Sequence, residues 1–295
     1  MACDPRISER PRERGFILVA VLVFAALLAS LLAGVLRMSS SYLFSAAAYS
    51  NVARADELGR TAADLVAQAV LSRDPNAKRG GSFVAHLKDA DVYVNYVSET
   101  ARVDVNAAQP ELLIALFKAA GIDSGVADAV GQRIKTLRDQ AAASDQPASA
   151  PGSTPPVQPN ASQARIDNEA QIADVWGMNG EDLAKVAPYL TVANPSGKID
   201  PTLAGGVVMA AVFDGDKSRA DDFMRERAHG FATETDALLL IPLGARGYVD
   251  FTPAKAFRAT VRVDLSNRAE RRYQMVVVPP QKQGDDVKVI AWEAL

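Results

Sequence analysis

The sequence predicts an α+β protein: a long N-terminal helix, apolar at its start and amphipathic beyond, packed on a small antiparallel sheet, with a large α-helical subdomain inserted between the strands. Three observations predict it. Residues 16–36 form an unbroken apolar run closed by Arg37, and helical spacing continues past it. The hydrophobic period then changes from two to 3.6 after Val105 and returns to two after Gly244. Finally, residues 246–295 hold three alternating runs separated by turn residues.

The apolar run comes first in the chain. Its 21 residues, at about 1.5 Å of rise each, match the roughly 30 Å hydrocarbon core of a bilayer. Residues 1–15 carry Arg6, Arg10, Arg12 and Arg14, and that charge keeps this end in the cytoplasm while the rest crosses. A secretory signal would put a shorter apolar region ahead of a small-x-small cleavage site. Here the cut falls before the apolar run, after Gly15, and leaves Phe16 as the new N-terminus. The arrangement resembles a type IV prepilin-like signal, which implies cleavage by a membrane peptidase and methylation of Phe16. The rival reading is an uncleaved signal anchor in which the Gly-Phe pair is fortuitous.

Residues 37–72 continue the helix outward. Proline is absent until Pro75, and Ala55, Leu58, Ala62, Leu65, Val66 and Ala69 recur at helical spacing opposite Arg54, Asp56, Glu57, Arg60 and Asp64. Gly59 weakens this helix by about 1 kcal/mol relative to alanine, and Ser72-Arg73-Asp74-Pro75-Asn76 stops it. Residues 73–105 read as a linker and a β-hairpin, with residues 92–97 pairing with 101–105 across Ser98-Glu99-Thr100.

The inserted subdomain spans 106–245. Leu112, Leu113, Leu116 and Phe117 mark one helix, Gly121-Ile122-Asp123-Ser124-Gly125 a turn, and Val126, Val130, Ile134 and Leu137 a second, a helix-hairpin-helix. Residues 141–163 are rich in alanine, serine, proline and glutamine, with Val157 as their single large apolar residue, which predicts a disordered loop. Helical spacing resumes with Ile166, Ile172, Val175 and Trp176. Residues 257–265, 272–278 and 287–292 then form an antiparallel meander, whose sheet the early hairpin can join.

Composition narrows the function. With formal net charge -3 and pI near 5.5, the chain lacks the broad basic surface that nucleic acid requires. Its one cysteine, Cys3, lies in the leader, so the processed chain has neither disulfide nor thiolate ligand. His86 and His229 are too few and too separated for a histidine metal site.

An internal repeat is visible. Val103-Asp104-Val105-Asn106-Ala107-Ala108, followed by Leu112-Leu113 and Phe117, aligns with Ile199-Asp200-Pro201-Thr202-Leu203-Ala204, followed by Val208-Met209 and Phe213, and each copy runs into a helix ending near Arg138 or Arg227. Chance similarity in an alanine-rich chain is the rival. The order of elements, together with Asp104-Val105-Asn106-Ala107-Ala108, Trp176-Gly177-Met178 and Ala187-Pro188-Tyr189-Leu190-Thr191-Val192, resembles the minor pseudopilin K family of bacterial type II secretion.

That resemblance implies a pilin-like fold, no enzymatic activity and no cofactor. It further implies a single-pass inner-membrane protein with its C-terminal domain in the periplasm, at the tip of the pseudopilus, helping to start or cap assembly. The implied partners are the I, J and H type minor pseudopilins, the inner-membrane platform, the prepilin peptidase and secreted cargo, with no nucleic acid. Most pilin-like subunits carry glutamate at the fifth mature position; here it is Ala20, and lack of that glutamate is the K subunit's mark.

Other candidate sites have plainer readings. Asp214-Gly215-Asp216 with Asp221 and Asp222 has alternating oxygen ligands of the kind calcium uses, but without an EF-hand glutamate it reads as a turn and helix cap, and no metal is claimed. The Gly121–Gly125 turn has the outline of a phosphate cradle with an acid where bases are wanted. A membrane-anchored helix-hairpin-helix DNA receptor is therefore the alternative function, and a hydrolase on a signal anchor a weaker third that lacks any nucleophile-base constellation.

Overall fold

The computed structural model describes residues 13–144, 165–167, 171–231, 233–282 and 284–295. Most of the expected leader and of the expected disordered loop thus lies outside the described residues, and residues 141–144 belong to a helix. The chain divides into two compact units, Met1–Glu57 and Leu58–Leu295.

The first unit contains the start of α1 (Glu13–Val70). Within it Leu18–Met38, 21 residues of mean hydropathy 2.8 with none buried, is among the described residues the one helical stretch long and apolar enough to cross a membrane. Ser30 keeps it apolar by donating its hydroxyl to the Ala26 carbonyl at 2.9 Å.

In the second unit the last turns of α1 bury Gly59, Ala62, Ala63, Val66, Ala67 and Val70. Spacing of three and four puts these small residues on one face. The chain continues through β1 (Gly80–Leu87) and β2 (Ala90–Ser98) to the short β3 (Val103–Asp104). Then come α2 (Pro110–Ala119), α3 (Ser124–Ser144), α4 (Ile172–Trp176), α5 (Gly180–Val186), β4 (Leu190–Thr191), α6 (Gly206–Val212), α7 (Lys217–His229) and α8 (Glu234–Leu240). β5 (Phe257–Leu265), β6 (Glu270–Val278) and β7 (Lys288–Ala294) close it.

Five strands form one antiparallel sheet in the order β1-β2-β5-β6-β7. The meander is as the sequence predicts. The early hairpin is not: β2 pairs with β1, and residues 101–105 leave the sheet. Ser98 Oγ accepts the Thr100 amide at 3.3 Å and its hydroxyl lies 2.7 Å from that of Thr100, which turns Glu99–Ala101 into a 3₁₀ turn. β3 then pairs in parallel with β4, residue Val103 opposite Leu190. Gly80, Gly81, Ser82 and His86 dilute the alternation of β1, so pattern alone passes over that strand.

One sheet face carries Val92, Val94, Tyr96, Ala259, Val261, Tyr273 and Met275, all buried. The helix meets it closely at Gly59: a Cβ there would lie 2.7 Å from Trp292 Cη2 and 3.3 Å from Tyr273 Cδ2. The glycine expected to be a weak point is therefore a point of contact.

Between β2 and β5 the helical subdomain has its own core. Phe117 packs edge-on against Trp176 with centroids 5.7 Å apart, and Phe213, Phe223 and Phe231 form a second aromatic group.

Candidate functional site

The predicted processing residues lie at the start of α1: Gly15 and Phe16 are in its first turns, and Ala20 is exposed among the apolar residues that follow.

The expected repeat is structurally real. In each copy a strand bridge leads into an aspartate-closed turn, then a pair of packed helices (α2 and α3, or α6 and α7), then shorter ones (α4 and α5, or α8), and a return to a parallel bridge: Val103 pairs with Leu190, and Ile199 with Val249. Asp104 Oδ1 accepts the Asn106 and Ala107 amides at 2.8 Å each, and Asp200 Oδ1 accepts the Thr202 amide at 2.9 Å and its hydroxyl at 2.6 Å. Both carboxylates are buried.

Each copy is then closed by an arginine from its second helix. Arg138 on α3 donates to the Ala108 carbonyl at 2.6 Å and to the Val105 carbonyl at 3.0 Å. Arg227 on α7 donates to the Ala204 carbonyl at 2.6 Å and the Pro201 carbonyl at 3.0 Å. Sequence reading noted both arginines as helix ends and missed their role. The signal was there, because aligning Asp104 with Asp200 also aligns the carbonyls they cap.

Burial pushes the Asp104 carboxyl above the ordinary aspartate value, with the amides of Asn194, Ala107 and Asn106 and the Arg138 charge opposing it. Burial likewise lowers Arg138 and Arg227, against the charges of Asp104 and Asp200 respectively. These are positions where charge holds backbone in place.

The Gly121–Gly125 turn joins α2 to α3, with Gly121 at φ 88. Asp123 Oδ1 accepts the Gly125 amide at 2.8 Å and the Val126 amide at 3.3 Å. The amides a phosphate would need are already bound by a side chain that repels it, which disfavours the DNA-receptor reading. Asp216 caps α7 by accepting the Arg219 amide at 3.1 Å, as the capping reading of that acidic turn expects. Among the described residues no group of three or more His, Cys, Asp or Glu side chains is arranged to hold a metal.

His86 lies on β1 and pairs with Asp91 at 2.8 Å on an exposed edge; His229 ends α7 before Gly230.

The junction between sheet and subdomain was not anticipated. Glu99 is fully buried and takes Arg258 Nε at 2.9 Å, while Arg258 is 8% exposed. Arg79, ahead of β1, donates to Thr202 Oγ1 at 3.3 Å and to Glu234 Oε1 at 2.9 Å. Polar contacts thus tie both copies of the repeat to the sheet that carries them.

No family model matches the chain, and neither does any curated protein sequence. Among solved structures, a chain of the GspK-GspI-GspJ complex from the enterotoxigenic Escherichia coli type 2 secretion system is similar, with a TM-score of 0.53 and 14% identity over 84% of this chain and 98% of that one. At that identity the likeness is one of architecture, and with the apolar helix, antiparallel sheet and inserted helices it establishes a pilin-like α+β fold for this chain.

Proposed function

We propose that this chain is a minor pseudopilin of a type II secretion system, anchored in the inner membrane by residues 16–36 with its folded unit in the periplasm, and that it starts or caps the pseudopilus. One observation carries the reading: the duplicated helical subdomain stands between β2 and β5 of a pilin-like sheet, and the whole resembles a chain of the GspK-GspI-GspJ complex over 84% of its length.

Two features of this chain support the tip position. Ala20 leaves no carboxylate to neutralise the N-terminal amine of a neighbouring subunit, and an unmatched charge in lipid costs several kcal/mol. The inserted subdomain adds bulk that would obstruct stacking within a fibre and is harmless at its end. The role is one of assembly, not catalysis. Prepilin peptidase would release Phe16, the I, J and H type pseudopilins and the inner-membrane platform would be its neighbours, and cargo would meet the outer surface.

Co-expression in membranes with I and J type pseudopilins tests this. The expected result is a complex that survives detergent extraction, with this chain beginning at a methylated Phe16 by intact mass. A chain that still begins at Met1 and elutes alone would overturn the proposal.

A further inference from the structure

We propose that the free edge of β1, Gly80–Leu87, takes an added antiparallel strand from another polypeptide, one that is apolar on the side it turns toward α1 and polar on the other. The inference comes from the edge itself and does not depend on the position in the fibre.

The sheet order β1-β2-β5-β6-β7 leaves two edges, and register decides which groups β1 offers at its own. The Ser98 amide donates to the Arg79 carbonyl at 2.8 Å, so Arg79 faces β2. By the alternation of an antiparallel ladder, Gly81, Phe83, Ala85 and Leu87 face β2 as well. Gly80, Ser82, Val84 and His86 therefore turn their amides and carbonyls outward. Among the described residues no backbone bond from elsewhere in the chain meets these four. Donors and acceptors repeating at every second residue match an extended backbone, and a helix, whose amides are spent internally, cannot use them.

Sheet edges are normally blunted by charged residues, proline or a bulge. β7 carries such devices: Lys288 opens it, Glu293 lies near its end, and its pairing with β6 shifts register between Val276 and Val277. β1 has no lysine or proline, and all of its residues pair with β2 without a shift. The unguarded edge is β1.

Side chains fix the pattern of the occupant. Phe83, Ala85 and Leu87 stand opposite Val94, Val92 and Ala90, on the α1 side of the sheet. Phe83 packs on Tyr96 with ring centroids 6.3 Å apart, and Leu87 is 44% exposed. On the other side Ser82 and Val84 stand opposite Asn95 and Tyr93, whose ring carries the Arg262 guanidinium, and His86 pairs with Asp91. An antiparallel strand beside β1 puts the residues that bond Ser82, Val84 and His86 on this polar side, and the residues between them over Phe83 and Leu87. Pairing and patterning are thus coupled: polar residues must donate, and apolar ones must alternate with them.

The test uses the full chain in zwitterionic nanodiscs, with empty nanodiscs as blank, and a short fluorescent peptide alternating valine and threonine. Two further peptides carry backbone N-methyl groups, one on its threonines and one on its valines. The unmethylated and valine-methylated peptides should bind and slow amide exchange over residues 80–87, while threonine methylation should weaken binding by about tenfold or more. Val84→Pro removes an outward amide and spares the ladder to β2, as proline does at an edge. Leu87→Asp puts a charge where the valines should lie. Both should weaken the peptide by a similar factor with unchanged circular dichroism. Ala294→Pro is the matching change on β7, since the Leu295 amide bonds the Arg272 carbonyl and Ala294 faces outward, and it should leave binding as it was. Equal binding of the two methylated peptides, wild-type affinity in either β1 variant, or self-association of the chain that Val84→Pro abolishes would each overturn the proposal.

Discussion

Glu99 and Arg258 form an ion pair at 2.9 Å in which the carboxylate is fully buried and the guanidinium is 8% exposed. It joins the turn that opens the inserted subdomain to the first residues of β5, the strand that follows it. Removing one member of a buried pair leaves the other charged and desolvated, at about 3–5 kcal/mol. Glu99→Ala should lower unfolding stability by about that amount in chemical denaturation. Glu99→Leu with Arg258→Met should recover part of the loss, since it removes the orphan guanidinium of Arg258, while Arg102, whose Nη1 lies 3.6 Å from Glu99, loses that carboxylate and keeps its hydrogen bond to the Pro188 carbonyl.

Gly59 carries the second prediction. Alanine gains about 1 kcal/mol of helix propensity over glycine, but its Cβ would lie 2.7 Å from Trp292 Cη2. Trp292 packs on Tyr273 at a centroid distance of 4.9 Å, so making room for the Cβ means giving up that packing. Steric overlap of this kind costs about 1–3 kcal/mol, so Gly59→Ala should lower the melting temperature. Adding Trp292→Leu should reverse the sign and make alanine the better residue.

The duplicated arginines give a third. Arg138 and Arg227 each bridge two carbonyls, and a hydrogen bond to a charged group contributes about 1.5–3 kcal/mol. Lysine keeps the charge but offers a single point donor where a planar fork reached two acceptors. Arg138→Lys and Arg227→Lys should each raise amide hydrogen exchange in the turn they close, residues 104–108 and 200–204 respectively. Exchange in the opposite copy should be unchanged.

These residues also mark what was legible in the sequence. The apolar span, the helix-hairpin-helix at Gly121–Gly125 and the C-terminal meander follow from periodicity, because each element's apolar spacing is set by the single face it buries. The repeat could be read because Asp104 and Asp200 stand at the same step before Leu112-Leu113 and Val208-Met209. Pairing between distant segments was not legible: β3 and β4 are two residues long, and their partnership is fixed by the helices between them. Nor was Gly59, whose fitness depends on a tryptophan 233 positions later. Of the candidate site, the leader, the apolar run and Ala20 are one-dimensional features, while the buried ion pairs exist only once the chain has folded.

Protonation of Asp104 gives a fourth. Its pKa in the folded protein is raised, mainly by burial, above the value of the unfolded chain. Between those values the folded chain binds the proton and the unfolded chain does not, so this group's contribution is fully present below the unfolded pKa and is lost as pH rises through the folded pKa. Glu111, held down mainly by its hydrogen bond to Lys135, acts oppositely, and its contribution is lost as pH falls through its own lowered pKa. Asp104→Asn should remove the first effect alone. The stability difference between wild type and variant should therefore shrink as pH rises through the window above the ordinary aspartate range, and a difference that stays flat there would count against the assignment.

Ala20 sets the last. A pilin-like subunit enters a growing fibre with its N-terminal amine inside the membrane, where a free charge has no water to face. A glutamate at the fifth position of one subunit can neutralise the amine of its neighbour, and alanine cannot, which on the proposed function favours a position at the end of a fibre over one within it. Ala20→Glu supplies the missing carboxylate without touching the folded unit. In sheared pseudopili the wild-type chain should be rare relative to the bulk subunit, and the variant should become several-fold more abundant if the charge alone excludes it. If the variant stays rare while remaining processed and stable, the bulk of the inserted subdomain, rather than the missing charge, is what keeps the chain out of the fibre. A wild-type chain as abundant as the bulk subunit would remove the tip assignment altogether.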